Sequence, residues 1–231
     1  MGLETVFLDA GGVLLYPNWW RVSEALAAEG VTVPAEALIR ADPPARRELD
    51  DHGVIGGTTD ATRGWLFFDL VLAHAGISRS ESTAAALAEL HKYHTASNLW
   101  EYVPEYVVPV LEGLRARGLR LVVVSNANGT LLRHMDRLDL TRRFDCVLDS
   151  ADEGVEKPDP RFFEIALARS GATKATTIHV GDLYHVDVIG ARNAGLRGVL
   201  LDEADLRPDA DCPRVGSLPE LALRIAAGEF D

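Results

Sequence analysis

The run Thr5-Val6-Phe7-Leu8-Asp9-Ala10-Gly11-Gly12-Val13-Leu14 puts a carboxylate at the far end of an apolar segment of strand length and follows it with two glycines. Glycine lets the backbone turn sharply and come close to whatever the carboxylate holds. Further along, polar groups again follow apolar runs: Ser125-Asn126, Lys157 in the loop Gly154-Val155-Glu156-Lys157-Pro158-Asp159-Pro160, Asp182 after Val180-Gly181, and then Asp187. Carboxylates ligate hard cations or attack as nucleophiles, whereas a hydroxyl and an ammonium meet negative charge. Three carboxylates, a hydroxyl and an ammonium make one coherent set if the fold gathers them.

The elements that must gather them can be read from the apolar pattern. Short continuous runs occur at Val6 to Leu8, Leu121 to Val124, Cys146 to Leu148, Ile178 to Val180 and Val199 to Leu201, as expected of strands buried on both faces of a parallel sheet. Helical segments separate the last four. Val107, Val110, Leu111 and Leu114 fall at helical spacing before Gly118. Leu131, Met135 and Leu138 form one face of a helix starting near Asn128 or Thr130. Pro158 or Pro160 opens a third helix ending at Gly171, and a fourth ends near Gly195. Repeated strand, helix, strand units predict an α/β fold with a doubly wound, Rossmann-like parallel sheet. Such sheets bind ligands at the carboxyl ends of their strands, where Asp9, Ser125, Asn126, Lys157 and Asp182 fall, with Asp187 just inside the next helix.

Between roughly Tyr16 and Trp100 no strand is evident. Alanine-rich amphipathic stretches around Arg21 to Glu29, Ala61 to Ala75 and Ser82 to Tyr93 predict a helical insertion. The expected organisation is a core of residues 1–15 and 97–231 with a helical cap of residues 16–96 placed to act as a lid. Trp19, Trp20, Trp65, Phe67 and Phe68 are expected to form the small core of that cap.

At 231 residues, with 47% hydrophobic side chains, the chain can build one large domain or a core with an insertion. A formal charge of −12 disfavours a nucleic-acid partner. Cys146 and Cys212 lack ligand spacing and read as free thiols. No basic and apolar leader and no bilayer-length apolar run is present, so the expectation is a cytoplasmic protein without a membrane partner.

With these residues in view, the chain resembles the haloacid dehalogenase superfamily, most of whose members are magnesium-dependent phosphohydrolases. Leu8-Asp9-Ala10-Gly11-Gly12-Val13-Leu14 is similar to its nucleophile motif, Val124-Ser125-Asn126 to its second, Lys157-Pro158 to its third, and Val180-Gly181-Asp182 with Asp187 and Gly190-Ala191 to its acidic fourth. The insertion after the first motif resembles the helical-cap subclass. The resemblance implies a small phosphorylated substrate and Mg²⁺ held by Asp9, the Gly11 carbonyl and Asp182. It implies Asp9 as nucleophile, with Ser125, Asn126 and Lys157 binding the phosphoryl group and Asp187 orienting Lys157 or a metal-bound water.

One position departs from that pattern. Phosphatases of the superfamily carry a second aspartate two residues after the nucleophile, to protonate the leaving group and then activate water; this chain has Gly11 there. Losing such a group removes roughly 10²- to 10⁴-fold of general acid–base catalysis unless another replaces it. His185, His52 and His74 are the histidines considered as substitutes, whereas His179, inside a strand, reads as a packed core residue. Three readings follow: a phosphatase, a 2-haloacid dehalogenase whose halide leaves without a proton, or a weak member that binds a phosphorylated ligand. A phosphonate hydrolase with a cap lysine is disfavoured, because no lysine lies between Tyr16 and His91.

Overall fold

The apolar runs become strands because each is buried on both faces, where every Val, Leu or Ile removed from water contributes about 1.5–3 kcal/mol. In the computed structural model, which describes residues 2–231 but only the backbone of His52, Asp60 and Ala61, the strands are β1 (Thr5–Leu8), β2 (Arg120–Ser125), β3 (Cys146–Asp149), β4 (Thr177–Gly181), β5 (Arg197–Leu201) and β6 (Arg214–Val215). His52, a candidate acid in the sequence, thus has its side chain outside the described residues. Among the described residues the strands form one sheet in the order β3-β2-β1-β4-β5-β6, and every pairing is parallel. The last strand was not expected. With two residues, it is too short to carry a pattern and is defined only by pairing with Leu200 and Leu201.

Spatial contacts divide the chain into two units: residues up to Leu15 with Val103–Asp231, and Tyr16–Tyr102. The second unit is helical: α1 (Trp19–Ala28), α2 (Ala35–Leu49), α3 (His52–Gly57), α4 (Asp60–His74) and α5 (Glu81–Ser97). α1, α4 and α5 match the expected stretches. α2 lies outside the expected stretches, and Pro43 and Pro44 remove amide donors from its interior. Burial of Leu38, Ala41, Ala45 and Leu49 along one face offsets that loss. Asp42 on the same helix is buried and accepts from the Trp19 indole at 3.2 Å and from Arg46. Trp19, Phe67 and Phe68 lie in this unit's core and Trp65 packs against it, whereas Trp20 is 45% exposed and meets the Tyr102 ring at 5.4 Å in a tilted contact. Tyr102 pairs antiparallel with Tyr16, closing the unit.

The sheet unit continues with α6 (Val107–Ala116), α7 (Leu131–Arg137), α8 (Ser150–Glu153), α9 (Pro160–Ser170), α10 (Ile189–Asn193) and α11 (Leu218–Ala226). α9 begins as its sequence predicts: the Asp159 side chain caps it, Pro160 occupies the first turn, and Gly171 ends it at φ 64°. Phe162, Phe163 and Ala166 pack against Phe7, Val122 and Leu148 of the sheet. Both cysteines are free, and no helix among the described residues is long and apolar enough to cross a membrane.

One close approach fixes how the segment after β4 lies against β5. A Cβ added at Gly198 would stand 2.9 Å from Val188 Cα and 3.1 Å from its carbonyl oxygen, so backbone must move to admit it. Gly198→Ala should therefore lower unfolding stability by about 1–3 kcal/mol in urea titrations; a variant as stable as the parent would disprove the close packing.

Candidate active site

The strand order reverses at β1: the chain steps from β1 through β2 to β3 on one side, then crosses to β4 on the other. A crevice opens at such a switch point, outside the carboxyl ends of the strands. Asp9 follows β1 directly, its N–H bonded to the Val180 carbonyl of β4 at 2.9 Å. Beyond it the Ala10 carbonyl collects the N–H groups of Val13, Leu14 and Leu15, and Gly12 takes φ 72°, a conformation that favours glycine. This tight turn holds the Asp9 side chain at the sheet edge, where Ala10 N–H donates to Oδ1 at 2.8 Å.

Lys157 arrives from the loop between α8 and α9, with its side chain fully buried. Its ammonium lies 3.0 Å from Asp9 Oδ1 and 2.7 Å from Asp187 Oδ1. The lysine backbone is held by Asn126: Lys157 N–H donates to Asn126 Oδ1 at 2.7 Å, and Asn126 Nδ2 donates to the Lys157 carbonyl at 3.0 Å. Asn126, expected at the phosphoryl group, thus engages its amide with the lysine backbone. The loop carrying Ser125 and Asn126 is anchored in turn by β3. Asp149, buried at that strand's end, accepts from Gly129 and Leu131 N–H at 2.8 and 3.1 Å, and Ser150 Oγ bonds both N–H and C=O of Ala127.

Asp187 is fully buried on a wide turn, Tyr184–Val188, whose Tyr184 carbonyl accepts the Ile189 N–H five residues on. Turns of this kind recur at functional sites. Its Oδ1 accepts from Lys157 and, at 2.9 Å, from His179 Nε2, while Oδ2 accepts the Leu183 N–H at 3.1 Å. Gly181 makes room for it: a Cβ there would come within 2.0 Å of Asp187 Cγ. His179 is buried as expected and packs edge-on against Phe163, but its bond to Asp187 was not foreseen. The signal was present in the sequence, since a histidine between Ile178 and Val180 in a buried strand must find a partner.

The charges settle unevenly. Burial raises the Asp9 carboxyl above its usual range, with Lys157 pulling against it and Asp187 adding to the rise. Burial also works to raise Asp187, but the Lys157 charge and the His179 hydrogen bond outweigh it and hold this carboxyl well below that range. Lys157, although burial disfavours its charge, is raised by Asp187 and Asp9. The Ser125 hydroxyl, buried, donates to the Asn126 carbonyl at 3.5 Å and favours the ionised form of Asp9. Asp9, Asp182 and Asp187 can each offer one carboxylate oxygen, all within 4.8 Å of one another. Of the other histidines, His185 is half-buried with its ring edge-on to Tyr184 at 5.2 Å, and His74 in the helical unit bonds Glu48 at 2.9 Å.

The chain is 32% identical over 213 residues to the haloacid dehalogenase-like hydrolase domain-containing protein 3 of Bos taurus, covering 88% of this chain and 83% of that protein. It is 40% identical over 117 residues to a phosphoserine phosphatase of Thermus thermophilus, covering 48% and 47% of the two chains. The fold is similar, at TM-score 0.69 and 16% identity, to a magnesium-bound hydrolase from Bacillus subtilis, over 97% of this chain and 99% of that one. Residues 3–195 match the haloacid dehalogenase-like hydrolase family, and the chain belongs to it.

Proposed function

We propose that the chain is a magnesium-dependent phosphatase acting on a small phosphorylated metabolite through an aspartyl-phosphate on Asp9. The observation that carries this reading is the buried ammonium of Lys157 shared between Asp9 and Asp187, with Asp182 beside them. An ammonium and a cluster of hard oxygen donors suit a phosphoryl group, which a carboxylate can approach only when its charge is met. The likeness to a phosphoserine phosphatase over half the chain supports the same reaction class.

The donor set fits a divalent cation. Asp9, Asp182 and the Gly11 carbonyl would hold it, since both oxygens of Asp187 already accept hydrogen bonds. Bound there, Mg²⁺ would neutralise charge between the attacking carboxylate and the phosphoryl oxygens. The remaining work falls to the chain. Asp9 forms the new O–P bond as the bond to the leaving oxygen breaks. Lys157 has three N–H donors, two of them engaged by carboxylates, and its third meets the charge on a phosphoryl oxygen together with the Ser125 hydroxyl. Asp187 and Asn126 keep Lys157 in place. Water then cleaves the aspartyl-phosphate, returning the Asp9 carboxylate and releasing phosphate. The inserted helical unit takes the role of cap.

Gly11 sets the limit of this machinery, because it cannot protonate the departing oxygen. The expected outcome is a preference for leaving groups of low pKa: p-nitrophenyl phosphate should turn over far faster than an alkyl phosphate, and chelation should abolish the activity until magnesium is restored. The same glycine favours a second reading, a dehalogenase, since halide leaves unprotonated. Chloride release from 2-chloropropionate without added metal would establish that reaction instead, and phosphate binding with no turnover would leave a binding protein. Asp9→Asn should lower kcat on p-nitrophenyl phosphate by about 10⁴-fold or more; substantial residual turnover would remove Asp9 as nucleophile.

A further inference from the structure

His179 occupies an unusual place for a polar side chain. It is fully buried in β4 between Ile178 and Val180, with Phe7 and Gly198 across the sheet and Phe163 against its ring, centroids 4.9 Å apart. A leucine or phenylalanine would fill such a site without the roughly 1–3 kcal/mol that an unpaired polar atom costs there. Only Nε2 has a partner, Asp187 Oδ1 at 2.9 Å; among the described side chains, Nδ1 has none. The ring thus has one polar contact, and that contact lies two bonds from Asp9.

The direction of that contact follows from its acceptor. An ionised carboxylate has only lone pairs, so Nε2 must carry the hydrogen, and a neutral ring then leaves Nδ1 bare. A bare nitrogen among apolar neighbours fits the pocket better than an orphaned N–H. Burial favours the neutral ring.

What the bond does is settled by the geometry at Asp187. His179 and Lys157 converge on the same oxygen, at 2.9 and 2.7 Å, while the Leu183 N–H holds the other. With His179 in place, Asp187 presents a single oxygen to the ammonium, which keeps its second contact with Asp9 at 3.0 Å. Without it, only the Leu183 N–H holds the carboxylate against rotation, and the ammonium can follow Oδ1 away from Asp9. We propose that His179 is a positioning residue, whose Nε2–H fixes the Asp187 carboxylate and so keeps Lys157 against Asp9. It touches no reacting atom. The kinetic part of this inference rests on the phosphatase reading above, and the structural part does not.

Two variants separate the role from simple packing. His179→Leu keeps an apolar side chain and removes the donor; His179→Gln keeps an amide N–H near the position of Nε2. On p-nitrophenyl phosphate with magnesium, His179→Leu should lower kcat about 10- to 100-fold with little change in KM, whereas His179→Gln should stay within several-fold of the parent. Unfolding in urea should not follow that order. If His179→Leu keeps full kcat, or if both variants lose activity equally, the positioning role is wrong. Nitrogen NMR of the parent should find Nε2 protonated and Nδ1 bare, and the Lys157 ammonium resonance should shift in His179→Leu but not in His179→Gln. A parent inactive on phosphate esters would sink the phosphatase reading alone, because the resonances still decide the positioning: an Nδ1–H tautomer, or an unchanged ammonium signal in His179→Leu, would overturn it.

Discussion

The site depends on one buried cation. Lys157 has no exposed surface, and an ammonium taken out of water costs several kcal/mol unless opposite charge replaces the lost hydration. Asp187 and Asp9 supply that charge, at 2.7 and 3.0 Å from one nitrogen. Because Asp187 is itself fully buried and bonded on both oxygens, the pair is a fixed structural unit, and Asp9 is the partner left at the sheet edge. Burial raises the Asp9 carboxyl, the Lys157 charge works against that rise, and the Asp187 charge adds to it.

Everything that surrounds this unit keeps it in register. Parallel strands bring Asp9 and Asp182 out beside each other at neighbouring carboxyl ends, and β2 on the other flank delivers Ser125 and Asn126. The Asn126 amide reads the Lys157 backbone much as a neighbouring strand would, with one donor and one acceptor. Asp149 and Ser150, at the end of β3, fix the loop from which Asn126 reaches out. Gly181 and Gly198 contribute by lacking side chains, one leaving space for the Asp187 carboxylate and the other for the backbone at Val188. Positioning is therefore distributed over five strands and the loops between them, while the proposed chemistry stays with few atoms.

The helical unit has its own core and its own polar centre. Glu101 accepts from Asn18, Arg21 and Tyr93, and Arg21 stacks over the Tyr93 ring at 3.9 Å. Burial acts to raise the Glu101 carboxyl, yet these three donors hold it below its usual range. A carboxylate so held is an acceptor, unsuited to donating the proton that Gly11 cannot supply.

Much of this was legible in the chain alone. Continuous apolar runs determined that the strands are buried and parallel, and polar residues immediately after those runs marked the edge that holds the candidate site, because in a doubly wound sheet the ends of the runs must meet there. The order of Asp9, Ser125, Lys157 and Asp182 along the sequence was enough to identify the candidate site. What the sequence could not assign was which group engages which. Asn126 bonding the Lys157 backbone, His179 bonding Asp187, and Asp149 anchoring the second loop all join residues 18 to 31 or 8 positions apart through side-chain directions that only packing sets. The helix across Pro43 and Pro44 was hidden for a related reason: local propensity opposes it, and burial of one face against the rest of its unit decides it. Spacing along the chain fixes which residues reach the sheet edge; the hydrogen-bond partners there depend on distances in space, which the linear pattern does not carry.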